Sequence, residues 1–389
     1  MKPKIRFKGF EGEWRNLSIT EIASLKAGKS FNKHDAIDKP TVGYYPCYGG
    51  NGQRGYLPYY NQEGKYNIIG RQGALCGCIN VAEGKFYATE HAVIVTPINV
   101  SDFEFLHESL IRANINQYAT GAAQPGISVT NVNSQLTLNY PIYEEQKAIG
   151  KYFTTLDSQI SASTTRLASL KQMKAASLQA MFPQEGETVP KIRFKGFEGE
   201  WKKKLLNECL SVCTEKNFDN IYNKEDVLSV SDDFGICNQI KLLGRSYAGK
   251  SVANYGILQT GYIVYTKSPL KAKPYGIIKT NHGPTGIVST LYAIYAPKKD
   301  TNADFIEVYF DHAERLNKYI HPLVNKGAKN DMKVSSENAL KGFIMIPSLA
   351  EQQAIASYFT SLDRQISLQS QRLEKLKQIK SACLDKMFV

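Results

Sequence analysis

The chain has 389 residues, 42% hydrophobic and 22% charged, with Lys plus Arg exceeding Asp plus Glu by 12. That is too long for one small module, so two or more globular domains are expected. No stretch approaches the roughly 18 consecutive apolar residues of a membrane-spanning helix. The opener Met1-Lys2-Pro3-Lys4-Ile5-Arg6 lacks the apolar core of a signal peptide, so a cytoplasmic protein with no membrane contact is expected.

Seven cysteines form no CxxC pair, and the histidines are not at zinc-finger spacing from them, so free thiols and no metal are expected. The isoelectric point near 9.1 favours a polyanionic partner, with nucleic acid first among the candidates. A basic protein without such a ligand is the alternative.

In chain order, residues 3–14 read PKIRFKGFEGEW, and residues 190–201 repeat all twelve letters. The block after the first opener is rich in Gly, Tyr and Asn. It includes Tyr44-Tyr45-Pro46-Cys47-Tyr48-Gly49-Gly50-Asn51-Gly52-Gln53-Arg54-Gly55-Tyr56 and Ile68-Ile69-Gly70-Arg71-Gln72-Gly73. Such glycines mark turns and close backbone approach. Arg, Gln and Asn are the side chains that make paired contacts to guanine and adenine edges. A β-branched run (92–95) and a helix candidate (Phe103 to Tyr118) complete an α+β block.

The tail of the first copy predicts a long helix. Its seam is Ile149, Phe153, Leu156, Ile160, Leu167 and Leu170, broken at Ser163 and Lys174, and the 3-4 spacing is that of coiled-coil knobs. About 37 residues at 1.5 Å each would make a rod of about 55 Å.

The second block speaks in lysines: Lys267, Lys271 and Lys273, then Lys329 and Asn330, suited to phosphate contacts. The second tail repeats the first at an offset of 206, whereas the openers repeat at 187, so the second copy holds 19 extra residues upstream of its tail. Its seam is Ile355, Phe359, Leu362, Ile366, Leu373 and Leu376, broken at Gln369 and Lys380. An antiparallel pairing of the two tails would give each seam a matching surface and relate the copies by a pseudo-twofold axis.

Gly244 to Ser251 satisfies the phosphate-loop pattern GxxxxGKS. Its context does not fit, because Gly256 and a β-like run (262–266) stand where a helix is required, and Phe305 to Asp311 is not a clean apolar strand. No Asn-Pro-Pro-aromatic sequence, GxGxxG turn or nucleophile set stands out, so no catalytic residue is expected.

The opener, the run Gly121-Ala122-Ala123-Gln124-Pro125-Gly126-Ile127-Ser128 leading to Tyr140-Pro141 and Glu145-Gln146, and the counterpart from Ile346 to Ile355 resemble the specificity subunits of type I restriction-modification systems. The resemblance spans the chain. One departure is Asn330-Asp331-Met332 in the second copy, where the first has Gln124-Pro125-Gly126.

The resemblance implies an α+β architecture with two target-recognition domains separated by two long antiparallel coiled-coil helices. The expected division is a first recognition domain at 1–143, a spacer helix at 144–183, a second domain at 184–349 and a second helix at 350–389. It also implies a bipartite double-stranded DNA target, two methyltransferase subunits and two restriction motor subunits. S-adenosylmethionine, ATP and Mg belong on those partners, with none in this chain. Local chemistry selects Asn51, Gln53, Arg54, Tyr56, Arg71 and Gln72 for the first half-site, and Lys267, Lys271, Lys273, Lys329 and Asn330 for the second. The rival readings are a coiled-coil adaptor without DNA readout and a phosphate-loop ATPase using Lys250.

Overall fold

The computed structural model describes residues 2–73, 75–98, 101–121, 125–267, 273–326 and 332–389. They divide into two units, unit 1 comprising 1–165 with 370–389, and unit 2 comprising 166–369. Each unit takes one of the two long sequence blocks together with parts of both long helices.

Unit 1 opens with β1 (Arg15–Ser18), α1 (Ile19–Ile22) and β2 (Ala23–Ala27), then β3 (Tyr45–Gly49), β4 (Gly52–Leu57), β5 (Gln62–Gly70), β6 (Ile79–Ala88) and β7 (Ala92–Pro97). Next come α2 (Phe103–Arg112), β8 (Ala119–Thr120), β9 (Gly126–Ile127), α3 (Val129–Gln135), β10 (Thr137–Tyr140) and α4 (Tyr143–Ala180). Six strands form one sheet in the order β2-β7-β5-β6-β3-β4. Only the β3–β6 pair within it is parallel.

The run Ala92-Val93-Ile94-Val95 is buried on both faces because successive strand residues point oppositely. Val93 and Val95 join the core with Phe105 and Leu106 of α2, while Ala92 and Ile94 pack with Ile68, Ala82 and Phe86. The helix expected over 103–118 stops at Arg112 and resumes as a short 3-10 turn, Ile115–Tyr118, after Asn114 takes a left-handed backbone at φ 47°.

Unit 2 repeats the plan with β11 (Lys202–Leu205), α5 (Leu206–Cys209), β12 (Leu210–Cys213), β13 (Leu228–Ser231), β14 (Gly235–Asn238), α6 (Gln239–Leu243), β15 (Gly256–Leu258), β16 (Ile263–Tyr265), β17 (Ile278–Thr280), β18 (Gly286–Val288) and β19 (Ala293–Pro297). It closes with α7 (Ala303–Asp311), α8 (Ala313–Ile320), β20 (Asn325–Lys326), β21 (Met332–Lys333), β22 (Phe343–Ile346) and α9 (Leu349–Met387). Four strands pair as β12-β19-β16-β17. The segment Phe305 to Asp311 lies in a helix, so no phosphate-binding strand ends there.

The repeated frame is a set of equivalent ties. Arg6 donates from Nε and Nη2 to both carboxylate oxygens of Glu145, each at 2.7 Å, and from Nη1 to the Gly12 carbonyl. Arg193 grips Glu351 and the Gly199 carbonyl in the same way. Gln146 Oε1 accepts from the amide of Asp102, the cap of α2, and Gln352 Oε1 accepts from Asn302, the cap of α7. Trp14 packs edge-on to Phe388 in unit 1, and Trp201 to Phe182 in unit 2. Each opener therefore holds the start of the helix in its own copy and the end of the helix from the other copy, which is why these letters repeat.

Within each unit the helical segments run antiparallel. In unit 1 the Tyr152 hydroxyl meets Cys383 at 3.5 Å, and Lys380 reaches Asp157. In unit 2 Ser177 meets the Tyr358 hydroxyl at 3.0 Å, and Lys174 reaches Asp363.

The seam positions are all buried or half-buried. Part of the seam does other work: Ile149 and Phe153 enter the unit 1 core with Trp14 and Phe105, and Ile355 and Phe359 enter the unit 2 core with Trp201 and Phe305. A heptad pattern reports which face is apolar and leaves open what covers it. No helix among the described residues is long and apolar enough to cross a membrane.

Candidate nucleic-acid interface

The β3–β4 hairpin carries an irregularity in register, with Cys47 opposite Gly55 but Tyr48 opposite Gln53, so Arg54 is the unopposed residue of a bulge. A bulge re-aims the side chain it carries, and here Gln53 and Arg54 are both exposed although adjacent in a strand. The Arg54 guanidinium sits 5.2 Å from the Phe31 ring centroid. No carboxylate among the described residues lies within ion-pair distance of it.

Asn51 occupies the exposed hairpin turn. The turn lies against the 70–73 loop so closely that a Cβ on Gly70 would stand 2.0 Å from the Gly50 carbonyl oxygen, and one on Gly50 would stand 2.5 Å from that of Gln72. Glycine is required at both positions. The 70–73 loop is held in turn by Arg71 N to the His91 carbonyl at 2.8 Å and by Ile127 N to the Arg71 carbonyl at 2.8 Å.

The result is a cleft of about 380 Å³ lined by Asn51, Gln53, Arg54, Gln72 and His91 with glycines between them. Four side chains singled out from the sequence therefore converge. His91 was not legible, because nothing in its local sequence separates it from an ordinary turn residue.

Two of the first-block candidates stand apart from this cleft. Arg71 turns inward, donating from Nε to the Ile127 carbonyl at 3.2 Å and from Nη1 to the Glu90 carbonyl at 3.3 Å. Tyr56 is half-buried, its backbone paired with Ile37.

In unit 2, Lys273 is bound to Asp232 at 2.7 Å and Asp311 at 3.3 Å with its side chain 15% exposed, so its charge is answered within the fold. Lys267 is half-buried with a left-handed backbone, φ 54°, and burial lowers its pKa. Lys271, Lys329 and Asn330 lie outside the described residues, as does Gln124.

The hairpin tips differ. Unit 1 presents Gly50-Asn51, whereas unit 2 presents Asp232-Asp233-Phe234 between β13 and β14. The phosphate-loop-like run continues from α6 as irregular backbone and leads into β15 without an intervening helix. The helix amides that such a loop needs for phosphate are not there.

The model of the type I restriction modification DNA specificity domain matches residues 11–172 and 247–378. The EcoprrI type I restriction enzyme specificity subunit of Escherichia coli is 37% identical over 168 residues, a match spanning 43% of this chain and 41% of that relative. The crystal structure of a type I restriction-modification S subunit from M. genitalium superposes over 100% of this chain and 99% of its own, with a TM-score of 0.66 at 14% identity, a likeness of fold. An HsdS subunit from Thermoanaerobacter tengcongensis covers 97% of each chain at 15% identity with a TM-score of 0.41. With the specificity-domain model covering both copies of the repeat, the chain belongs to the family of type I restriction-modification specificity subunits.

Proposed function

We propose that the chain reads a bipartite duplex DNA target, one half-site per unit, and directs methyltransferase and restriction subunits to it without catalysing a reaction itself. The observation that carries this reading is a doubled, near-identical frame around two unlike surfaces. A frame repeated this closely serves one docking task twice, whereas surfaces that diverge serve two different readouts.

In unit 1 the cleft supplies the readers. Arg54 pairs with a guanine edge, while Asn51, Gln53 and Gln72 pair with adenine or position the backbone. Arg71 holds the 70–73 loop that lines the cleft. In unit 2, Lys267 contacts phosphate, and the sequence offers Lys271, Lys329 and Asn330 for the same role.

The adenine-N6 chemistry, with S-adenosylmethionine, ATP and Mg, belongs to two methyltransferase and two motor subunits. The assembly works in the cytoplasm, where its substrate is. The test is duplex binding by the full chain across a salt series. A reader that neutralises phosphates loses affinity linearly in log salt, and affinity for partner proteins without salt-dependent DNA binding would favour the adaptor reading.

A further inference from the structure

The two hairpins are equivalent elements of the repeat: β3 pairs in parallel with β6, and Val227 beside β13 bridges in parallel to Ile287 of β18. Their exits differ. In unit 1 residues 58–61 connect β4 to β5, whereas in unit 2 residues 239–255, comprising α6 and a loop, connect β14 to β15. Much of the second copy's extra length therefore lies here, and it contains the phosphate-loop-like run.

This insert has three basic residues, Lys241, Arg245 and Lys250, and no acidic one. All three are exposed, and none has a carboxylate within ion-pair distance among the described residues. The Tyr247 ring, 59% exposed, lies against the Arg245 guanidinium at 4.6 Å.

The backbone beneath them is anchored. Asn238 caps α6 by accepting from the amides of Ile240 and Lys241, and Gly244 ends it in a left-handed conformation with its amide on the Ile240 carbonyl. Gln239 Oε1 accepts from the Tyr247 amide at 2.7 Å, while its Nε2 donates to Ser229 of β13. Ala248 and Val252 pack with Val227, Ile257 and Ile287. Ala248 and Val252 point down while Arg245, Tyr247 and Lys250 are exposed, which is how a fold presents an ordered cationic surface.

We propose that this insert is a duplex-DNA contact of unit 2, with Lys241, Arg245 and Lys250 on phosphodiester oxygens and Tyr247 bracing the guanidinium. The proposal rests on the reading of the chain as a DNA reader and adds where its second unit makes contact. An extended polyanion suits the geometry better than a nucleotide, because the loop offers outward cations and lacks a helix after it to cradle a compact phosphate. It also accounts for the acidic hairpin tip, Asp232-Asp233, which would repel phosphate where unit 1 presents a neutral turn.

The test is binding of the full chain to a labelled random-sequence duplex across a potassium chloride series, comparing wild type with K241A/R245A/K250A. Loss of three phosphate contacts should reduce the slope of log affinity against log salt by about 2 to 3. Each single variant should account for about one, and the charge-conserving set K241R/R245K/K250R should retain most of the slope. A triple variant that melts like wild type and binds with the wild-type slope overturns the proposal and leaves the general reading intact. Wild type without salt-dependent duplex binding overturns both. Binding of labelled ATP that Lys250→Ala abolishes would replace the proposal with a nucleotide site.

Discussion

Lys380 Nζ lies 2.7 Å from Asp157 Oδ2, and the residues at the same places in the repeat, Lys174 and Asp363, lie 2.7 Å apart as well. Each lysine also takes an acid from the helix beneath it, Glu108 of α2 at 3.0 Å and Asp311 of α7 at 2.7 Å. The sequence presents these lysines as breaks in an apolar seam. In the fold each is a three-way junction tying both long helices to a recognition block. Glu108 has its side chain 2% exposed, and burial raises its pKa while Lys380 opposes that rise. Lys380→Met strands this carboxylate and should cost about 3 kcal/mol, read as a lowered denaturation midpoint. A double variant Lys380→Met/Glu108→Gln should recover part of the loss.

Asp311 makes a pH prediction. Burial alone would raise its pKa, but Lys174, Lys279 and Lys273 outweigh burial and hold it at about 2. A folded value below the unfolded one contributes stability that is fully present above about pH 4 and is lost as pH falls through about 2. The contribution is about 2 kcal/mol. Asp311→Asn should therefore flatten the fall in stability between pH 4 and 2 in denaturant titrations. The three lysines retain Asp363, Glu307 and Asp232, so the variant should still fold at neutral pH.

The opener makes a symmetric prediction. The side chains of Glu145 and Glu351 are only 1% and 2% exposed, each held by one bidentate arginine. Arg6→Ala and Arg193→Ala should each cost about 3 kcal/mol by leaving a carboxylate buried and unpaired. Lysine should not rescue either position, since it lacks the planar fork. A double-mutant cycle should find strong coupling for Arg6 with Glu145 and additivity for Arg6 with Arg193.

Two neighbouring arginines should behave oppositely. Arg54→Ala should leave the melting temperature unchanged, cost about 1 to 3 kcal/mol of specific binding and relax one position of the recognised sequence. Arg71→Ala removes donors to two carbonyls and should lower thermal stability first, with any loss of recognition resulting from that. Melting curves and binding isotherms on the same preparations separate the two effects.

The frame was legible because it is written twice. The openers and the Glu-Gln pairs repeat to the letter and the tails repeat closely, and the structure gives Arg6 and Arg193, Gln146 and Gln352, and Trp14 and Trp201 equivalent ties. The four cleft residues were legible because glycine density signals close backbone approach, which Gly50 and Gly70 bear out. Arg71 and Lys273 stand out by residue type, and local sequence cannot show whether a cation meets solvent or a distant partner. Their partners, Ile127 and Asp232, lie 56 and 41 residues away. Ile149 and Phe153 showed an apolar face and gave no sign that a globular core covers it. The insert at 239–255 was visible only as an unplaced difference in length and a motif without its helix.

The most direct test of a two-half-site reader is a genome-wide map of modified adenines in a host expressing this chain with its methyltransferase, set against the methyltransferase alone. The account predicts a split motif that appears only with the chain, and Arg54→Ala should alter one half of it and leave the other intact. A chain that co-purifies with the methyltransferase yet adds no motif, or a motif altered in both halves by that one substitution, would contradict it.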